Sequence, residues 1–164
     1  MAVANIHSAQ VEQFQALETD QQLALFWFIY KEMGHAITPA APAAGTAGTP
    51  VAEGLFDQVK ALSQEEQLQV QRDLVERKNT LISREYGALS ETTKLLFWYL
   101  LAVGMDDGSV IPMPENYQLS SNAKNLFRII IGLDFQEQIT LFREIVAPMG
   151  VDPNHALHNP ETGL

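Results

Sequence analysis

The sequence predicts an all-α fold built from two duplicated halves, and three observations lead to that expectation. The first is an ungapped internal repeat at a constant offset of 71 residues. The second is capping-box chemistry at matching places, Ser63 with Glu66 and Asp134 with Glu137. The third is the helical spacing of Leu23, Phe26, Trp27, Tyr30 and Met33, which puts these large side chains on one face.

The repeat runs through both halves. Phe26-Trp27 recurs as Phe97-Trp98, Leu55-Phe56 as Leu126-Phe127, and Leu62 as Leu133. Glu66-Gln67-Leu68 is matched by Glu137-Gln138-Ile139, and Arg72-Asp73-Leu74-Val75 by Arg143-Glu144-Ile145-Val146. The pseudo-repeats span about 17–75 and 88–146, and each reads as helix, connector, helix, capped helix. Thr19-Asp20 aligns with Ser90-Glu91, so the chemistry that starts the aromatic helix repeats too. In that helix Gln22 and Lys31 are expected to reach water. Its counterpart, Leu95 to Met105, is apolar on every side and is expected to be buried all round. Arg128-Ile129-Ile130-Ile131 would pass for a strand alone, but its repeat partner Asp57-Gln58-Val59-Lys60 has a polar helical context, so both are read as helices.

The connectors differ. Residues 39–54, rich in Ala, Gly, Thr and Pro between Pro39 and Pro50, have little to bury and are expected to form a flexible connector. Val110 to Ser121 carries Ile111, Met113 and Tyr117 around Pro112 and Pro114, and is expected to pack down as an ordered lid. A further helix is expected from near Ser8 through Phe14, Asn79 to Gly87 bridges the halves, and 152–164 reads as a loose tail.

Composition narrows the function. The chain has 164 residues, 46% of them hydrophobic, enough for one domain with its own core. A net charge of -10 opposes binding to nucleic acid or to an anionic membrane surface. No cysteine is present, which removes disulfides, thiolate catalysis and Cys-ligated metals. Met1 to Gln10 has neither a basic nor an apolar signal region, and the longest apolar runs, Leu23 to Tyr30 and Leu95 to Met105, fall short of the roughly 20 residues that a membrane helix requires. A cytosolic protein without membrane insertion is expected.

No phosphate loop, nucleophile elbow or zinc-helix motif occurs, so no enzyme is expected. His155 and His158 stand near Asp152 and Glu161, but in a Pro- and Gly-containing tail rather than a framed metal site; His7 and His35 are isolated. Glu65, Glu66, Asp73 and Glu76 read as a solvated helix face, and Arg143, with its repeat mate Arg72, as a surface ion pair. Two halves related by approximate two-fold symmetry would set Trp27 and Trp98 facing each other across an aromatic slot suited to a flat conjugated ligand. The same rings would equally serve as core, and periodicity does not decide between the two.

At these segments the sequence resembles the N-terminal domain of the orange carotenoid protein, and more closely the stand-alone helical carotenoid proteins of cyanobacteria. The resemblance rests on Asp20 to Gly34 (DQQLALFWFIYKEMG), Lys94-Leu95-Leu96-Phe97-Trp98-Tyr99, Pro112 to Ser120 (PMPENYQLS) and Gln138-Ile139-Thr140-Leu141-Phe142-Arg143. It implies two interleaved four-helix bundles with a keto-carotenoid, canthaxanthin or echinenone, between them. By matching positions Leu23, Phe26, Trp27 and Tyr30 would form one wall, and Leu95, Trp98, Tyr99 and Met105 the other. Met113, Pro114 and Tyr117 would close the lid, and Ile139, Thr140, Arg143 and Met149 the mouth.

The implied role is photoprotection, chiefly singlet-oxygen quenching, with energy quenching at the phycobilisome as a further role, and the protein is expected to be a monomer near thylakoid membranes. A carrier that hands pigment to a partner protein and a pigment-free adaptor are the alternatives. Two-domain relatives carry a C-terminal domain that pairs with the residue matching Arg143; this chain ends before it, so light-driven domain separation is not expected. Val103, Glu144 and Gln13 depart from residues of some relatives, and these changes weaken the expectation of antenna docking without touching pigment binding.

Overall fold

The computed structural model describes residues 8–33 and 48–154. Among these the chain forms eight helices and no strand. They are α1 (Ser8–Gln15), α2 (Thr19–Met33), α3 (Gly48–Lys60), α4 (Gln64–Glu76), α5 (Leu81–Gly87), α6 (Glu91–Asp107), α7 (Ser121–Ile131) and α8 (Phe135–Val146).

The starts of these helices follow from side-chain chemistry. Both expected capping boxes form: the Glu66 N–H donates to Ser63 Oγ at 3.2 Å while the Ser63 N–H donates to Glu66 Oε1, and Asp134 and Glu137 do the same at 2.8 and 3.2 Å. The Ser63 N–H, and after it the Ser63 hydroxyl, donate to Glu66 Oε1 and draw the Glu66 carboxyl below its ordinary pKa. Thr80, Ser90 and Ser120 cap α5, α6 and α7 in the same manner, each accepting from the backbone N–H three residues on.

The halves are interleaved. α2 packs on α7 of the other half, and α6 packs on α3; α1 packs on α7 and α8, and α5 on α3 and α4. Each bundle thus takes two helices from each half, α1, α2, α7 and α8 in one, α3, α4, α5 and α6 in the other. Shifting α1 by the repeat offset lands on α5, so the duplication reaches beyond the 17–75 and 88–146 spans and makes α5 a counterpart of α1 rather than a bridge. Contacts of α2 with α4 and α6, and of α6 with α8, join the bundles. Most of the core is one continuous cluster that includes Leu25, Phe97, Leu101, Leu126 and Ile145, with Ala52 and Leu96 forming a small second one.

Three expectations need correction. The connector assigned to 39–54 ends sooner: α3 begins at Gly48, and Pro50 sits in its first turn, where its missing N–H costs no helical bond. Ala52, Leu55, Phe56 and Val59 then bury at helical spacing, which draws the segment into the fold; residues 39–47 lie outside the described part. Gln22 does not face water but is buried, its amide donating to the Leu17 carbonyl at 3.0 Å. α6 is not buried all round: Leu95, Tyr99, Val103 and Met105 are half-exposed.

The 108–120 segment is an ordered strap, as expected of a lid, and two glutamines hold its ends. Gln67 on α4 accepts the Ile111 N–H at 2.8 Å and donates to the Ser109 carbonyl at 3.2 Å. Gln21 on α2 accepts the Ser120 N–H at 2.8 Å and donates to the Gln118 carbonyl and to Tyr117 Oη, both at 3.3 Å. At the C-terminal side, Gly150 and Val151 donate backbone N–H groups to the Leu74 and Ser83 carbonyls at 2.9 and 3.0 Å. That clasp lies so close that a Cβ on Gly87 would collide with the Val151 carbonyl. Of the tail assigned to 152–164, residues 152–154 are described and the rest, with His155 and His158, lie outside; so do His7 and His35. Among the described residues no helix is long and apolar enough to cross a membrane.

Candidate ligand-binding grooves

Two grooves open between the bundles. The first, about 570 Å³, lies among α2, α6 and α8 and is almost wholly apolar: Phe26, Ile29 and Tyr30 face Leu95, Trp98, Tyr99 and Ala102, with Ile139 and Phe142 from α8. The second, about 560 Å³, lies among α2, α4, α6 and the strap. Asp20, Leu23 and Ala24 meet Leu68, Gln71 and Arg72 there, and Met105, Ile111, Pro112, Met113, Pro114 and Tyr117 complete it. These are the α8 groove and the strap groove. They are images of one another under the duplication, since Ala24, Leu68 and Gln71 of the strap groove correspond to Leu95, Ile139 and Phe142 of the α8 groove.

Why α2 and α6 wall both grooves follows from their residue spacing. On α2, Leu23 opens on the strap groove, and Phe26 and Tyr30, three and seven residues on, open on the α8 groove; Leu25, Ile29 and Met33 anchor the helix in the core. On α6, Met105 reaches the strap side and Leu95, Trp98 and Tyr99 the other. Phe26 lies against Trp98 with ring centroids 5.1 Å apart, and Tyr30 meets Tyr99 edge-on at 6.0 Å. The walls are therefore broad, aromatic and apolar, with their rings inclined to one another.

Polar groups fix the positions of the rings. Trp98 Nε1 donates to Tyr86 Oη at 2.9 Å, and Tyr86 Oη donates to the Val146 carbonyl at 2.8 Å, so a groove wall is tied through α5 to the end of α8. Burial pushes the Tyr86 phenol far above its ordinary pKa. The Lys94 ammonium donates to the Ala147 carbonyl at 2.7 Å above the Tyr86 ring, and burial lowers its pKa. Tyr30 Oη donates to Asp106 Oδ2 at 3.2 Å; desolvation and then the Asp106 charge raise its pKa. Beside the strap groove, Arg72 grips Asp20 with two bonds of 2.9 and 3.0 Å.

Eleven of the fifteen residues expected from the sequence meet in these grooves: Phe26, Tyr30, Leu95, Trp98, Tyr99 and Ile139 in one, and Leu23, Met105, Met113, Pro114 and Tyr117 in the other. Four stand elsewhere. Trp27 lines neither groove and does not face Trp98; it packs on Tyr30 at 5.7 Å with Lys31 Nζ 5.5 Å from its ring. Its place opposite Trp98 is filled by Phe26, because crossing helices bring adjacent positions rather than repeat mates together. Thr140 is exposed, and Met149 is buried in a separate depression of about 360 Å³ beside Phe14 and Gln22. Arg143 forms no ion pair among the described residues, unlike Arg72, and its Nε is buried without a partner. Ile29, Ala102, Phe142, Leu68, Gln71 and Tyr86 were missed. The repeat held the signal for Leu68, which is the image of Ile139.

The family model described as "Orange carotenoid protein, N-terminal" matches residues 1–152. The chain belongs to this orange carotenoid protein N-terminal family. An orange carotenoid-binding domain-containing protein of Nostoc sp. is 51% identical over 140 residues, 85% of this chain and 81% of its own length. The Red Carotenoid Protein of Anabaena (Nostoc) sp. PCC 7120, solved with canthaxanthin, is 53% identical and superposes with a TM-score of 0.77, covering 88% of this chain and 98% of that one. The Orange Carotenoid Protein of the same organism, also solved with canthaxanthin, gives 41% identity and a TM-score of 0.81 over 93% of this chain. This chain spans 47% of that longer protein. The expected all-α, interleaved fold is thus that of the family.

Proposed function

We propose that the chain binds one keto-carotenoid of the canthaxanthin or echinenone type across the α8 and strap grooves, and that it acts in photoprotection, chiefly by quenching singlet oxygen. The observation behind this reading is the pair of repeat-related, largely apolar grooves on shared helices, with the Phe26–Trp98 and Tyr30–Tyr99 contacts as aromatic walls. Burying a polyene there gains on the order of 25 cal/mol per Å² of apolar surface. Rigid rings hold its conformation at little rotamer cost. No bond is made or broken; the protein works by binding and by the pigment's photophysics rather than by catalysis. It does so as a cytoplasmic monomer, close to thylakoid membranes where reactive oxygen arises.

The test is purification from a carotenoid-producing host, with the visible spectrum as readout. A coloured holoprotein is the expected result, and a colourless one from a host rich in canthaxanthin refutes the reading. Mixing the holoprotein with a pigment-free acceptor then separates a quencher, which retains its pigment, from a carrier, which gives it up.

A further inference from the structure

Among the described residues four glutamines are buried, and three of them spend their amides on the backbone. Gln22 donates to the Leu17 carbonyl, Gln67 to the Leu62 and Ser109 carbonyls, and Gln138 to the Ile130 carbonyl. Gln71 is the fourth. It is 4% exposed, it lines the strap groove, and among the described residues its amide has no hydrogen-bond partner. Its amide is open to the groove rather than sealed in the core, so a ligand oxygen can reach it, and a hydrogen bond made among apolar walls is stronger than one made in water. The duplicated position in the α8 groove is Phe142, which offers only a phenyl ring. The two related grooves therefore present different chemistry, a hydrogen-bonding amide at the strap end and an apolar wall at the other. The charged pair nearby is engaged with itself, Arg72 holding Asp20 through two of its five N–H donors.

We propose that Gln71 selects the ligand at the strap end, donating its amide N–H to an oxygen on the terminal ring of the carotenoid. The chain then favours ring-oxygenated carotenoids over hydrocarbon ones, and seats a ligand with one oxygenated ring so that this ring lies under the strap. The inference rests on the proposed carotenoid binding.

Apoprotein of the wild type, Gln71→Leu and Gln71→Met is loaded with equimolar canthaxanthin and β-carotene, and the bound ratio is measured. The wild type enriches canthaxanthin, and both variants reduce that enrichment on the order of tenfold. Resonance Raman spectra of the wild type with canthaxanthin show one ketone stretch lowered by hydrogen bonding and one free. With echinenone the single ketone stretch is the lowered one. Both variants lose the lowered band, and a Tyr117→Phe control retains it.

A wild type with only a free carbonyl band overturns the proposal without recourse to any variant. A lowered band that responds to Tyr117→Phe and not to Gln71→Leu overturns it as well. Equal loading of both pigments, unchanged in the variants, sinks this inference while leaving carotenoid binding intact. Failure to load either pigment removes both.

Discussion

Tyr86 shows how much one hydroxyl does here. It is fully buried, it receives the Trp98 indole N–H, and it passes its own proton to the Val146 carbonyl. Val146 keeps a second donor in the Met149 N–H, so Tyr86→Phe orphans mainly the indole. The expected loss is about 2 kcal/mol, a fall in Tm of roughly 4–8 °C, read by thermal unfolding. The pH dependence carries the same signature. The folded phenol keeps its proton where the unfolded one gives it up, so its stabilisation is complete below about pH 10 and fades as pH rises further. Stability should fall above that pH more steeply in the wild type than in Tyr86→Phe, by about 1.4 kcal/mol per pH unit. Nothing in the sequence marked Tyr86, because its importance comes from a bond to α6 and another to α8, both set by tertiary packing. Phe26 and Trp98 were legible because they repeat as part of a spaced aromatic pattern.

Among the elements, the two capping boxes were the plainest marks in the sequence, since a cap is settled by residues three apart and is indifferent to the rest of the fold. Asp134→Ala is expected to cost about 1 kcal/mol, visible as a Tm lower by roughly 2–4 °C. Gly87→Ala tests the opposite kind of constraint: a Cβ there meets the Val151 carbonyl, so the clasp must move and thermal unfolding should show a larger loss than Asp134→Ala gives. The start of α3 was read late because Gly, Thr and Pro lead into it, and local composition hid the burial of Ala52 and Leu55 behind them. The strap was foreseen from Ile111, Met113 and Tyr117. Its anchoring by Gln21 and Gln67 was not, as neither glutamine differs in sequence from its neighbours.

For the whole molecule, the duplication told the architecture and left the partners undecided. A repeat fixes which segments are alike but not which pack together, and here like helices exchange places between bundles. Charge bears on the wider role. With a net charge of -10, Glu144 beside Arg143, and Gln13 exposed on α1, the surface should repel an acidic antenna. Carotenoid-loaded protein is expected to shorten the singlet-oxygen phosphorescence lifetime while leaving phycobilisome fluorescence nearly unchanged at low salt. Strong antenna quenching at low salt would refute the electrostatic argument, and an unchanged oxygen lifetime the photoprotective one.

The exchange of helices between bundles also bears on how the chain comes to fold. Helical proteins ordinarily fold fast because their contacts are local, but here α2 must wait for α7 and α3 for α6 before either bundle exists. Neither half is a folding unit, so 1–76 and 77–164 made separately should each remain largely unstructured and acquire helical circular dichroism only on mixing. The bound pigment would sit along the seam between them. It should therefore act as a mortar for the two fragments, tightening their association by mass action in proportion to its own affinity.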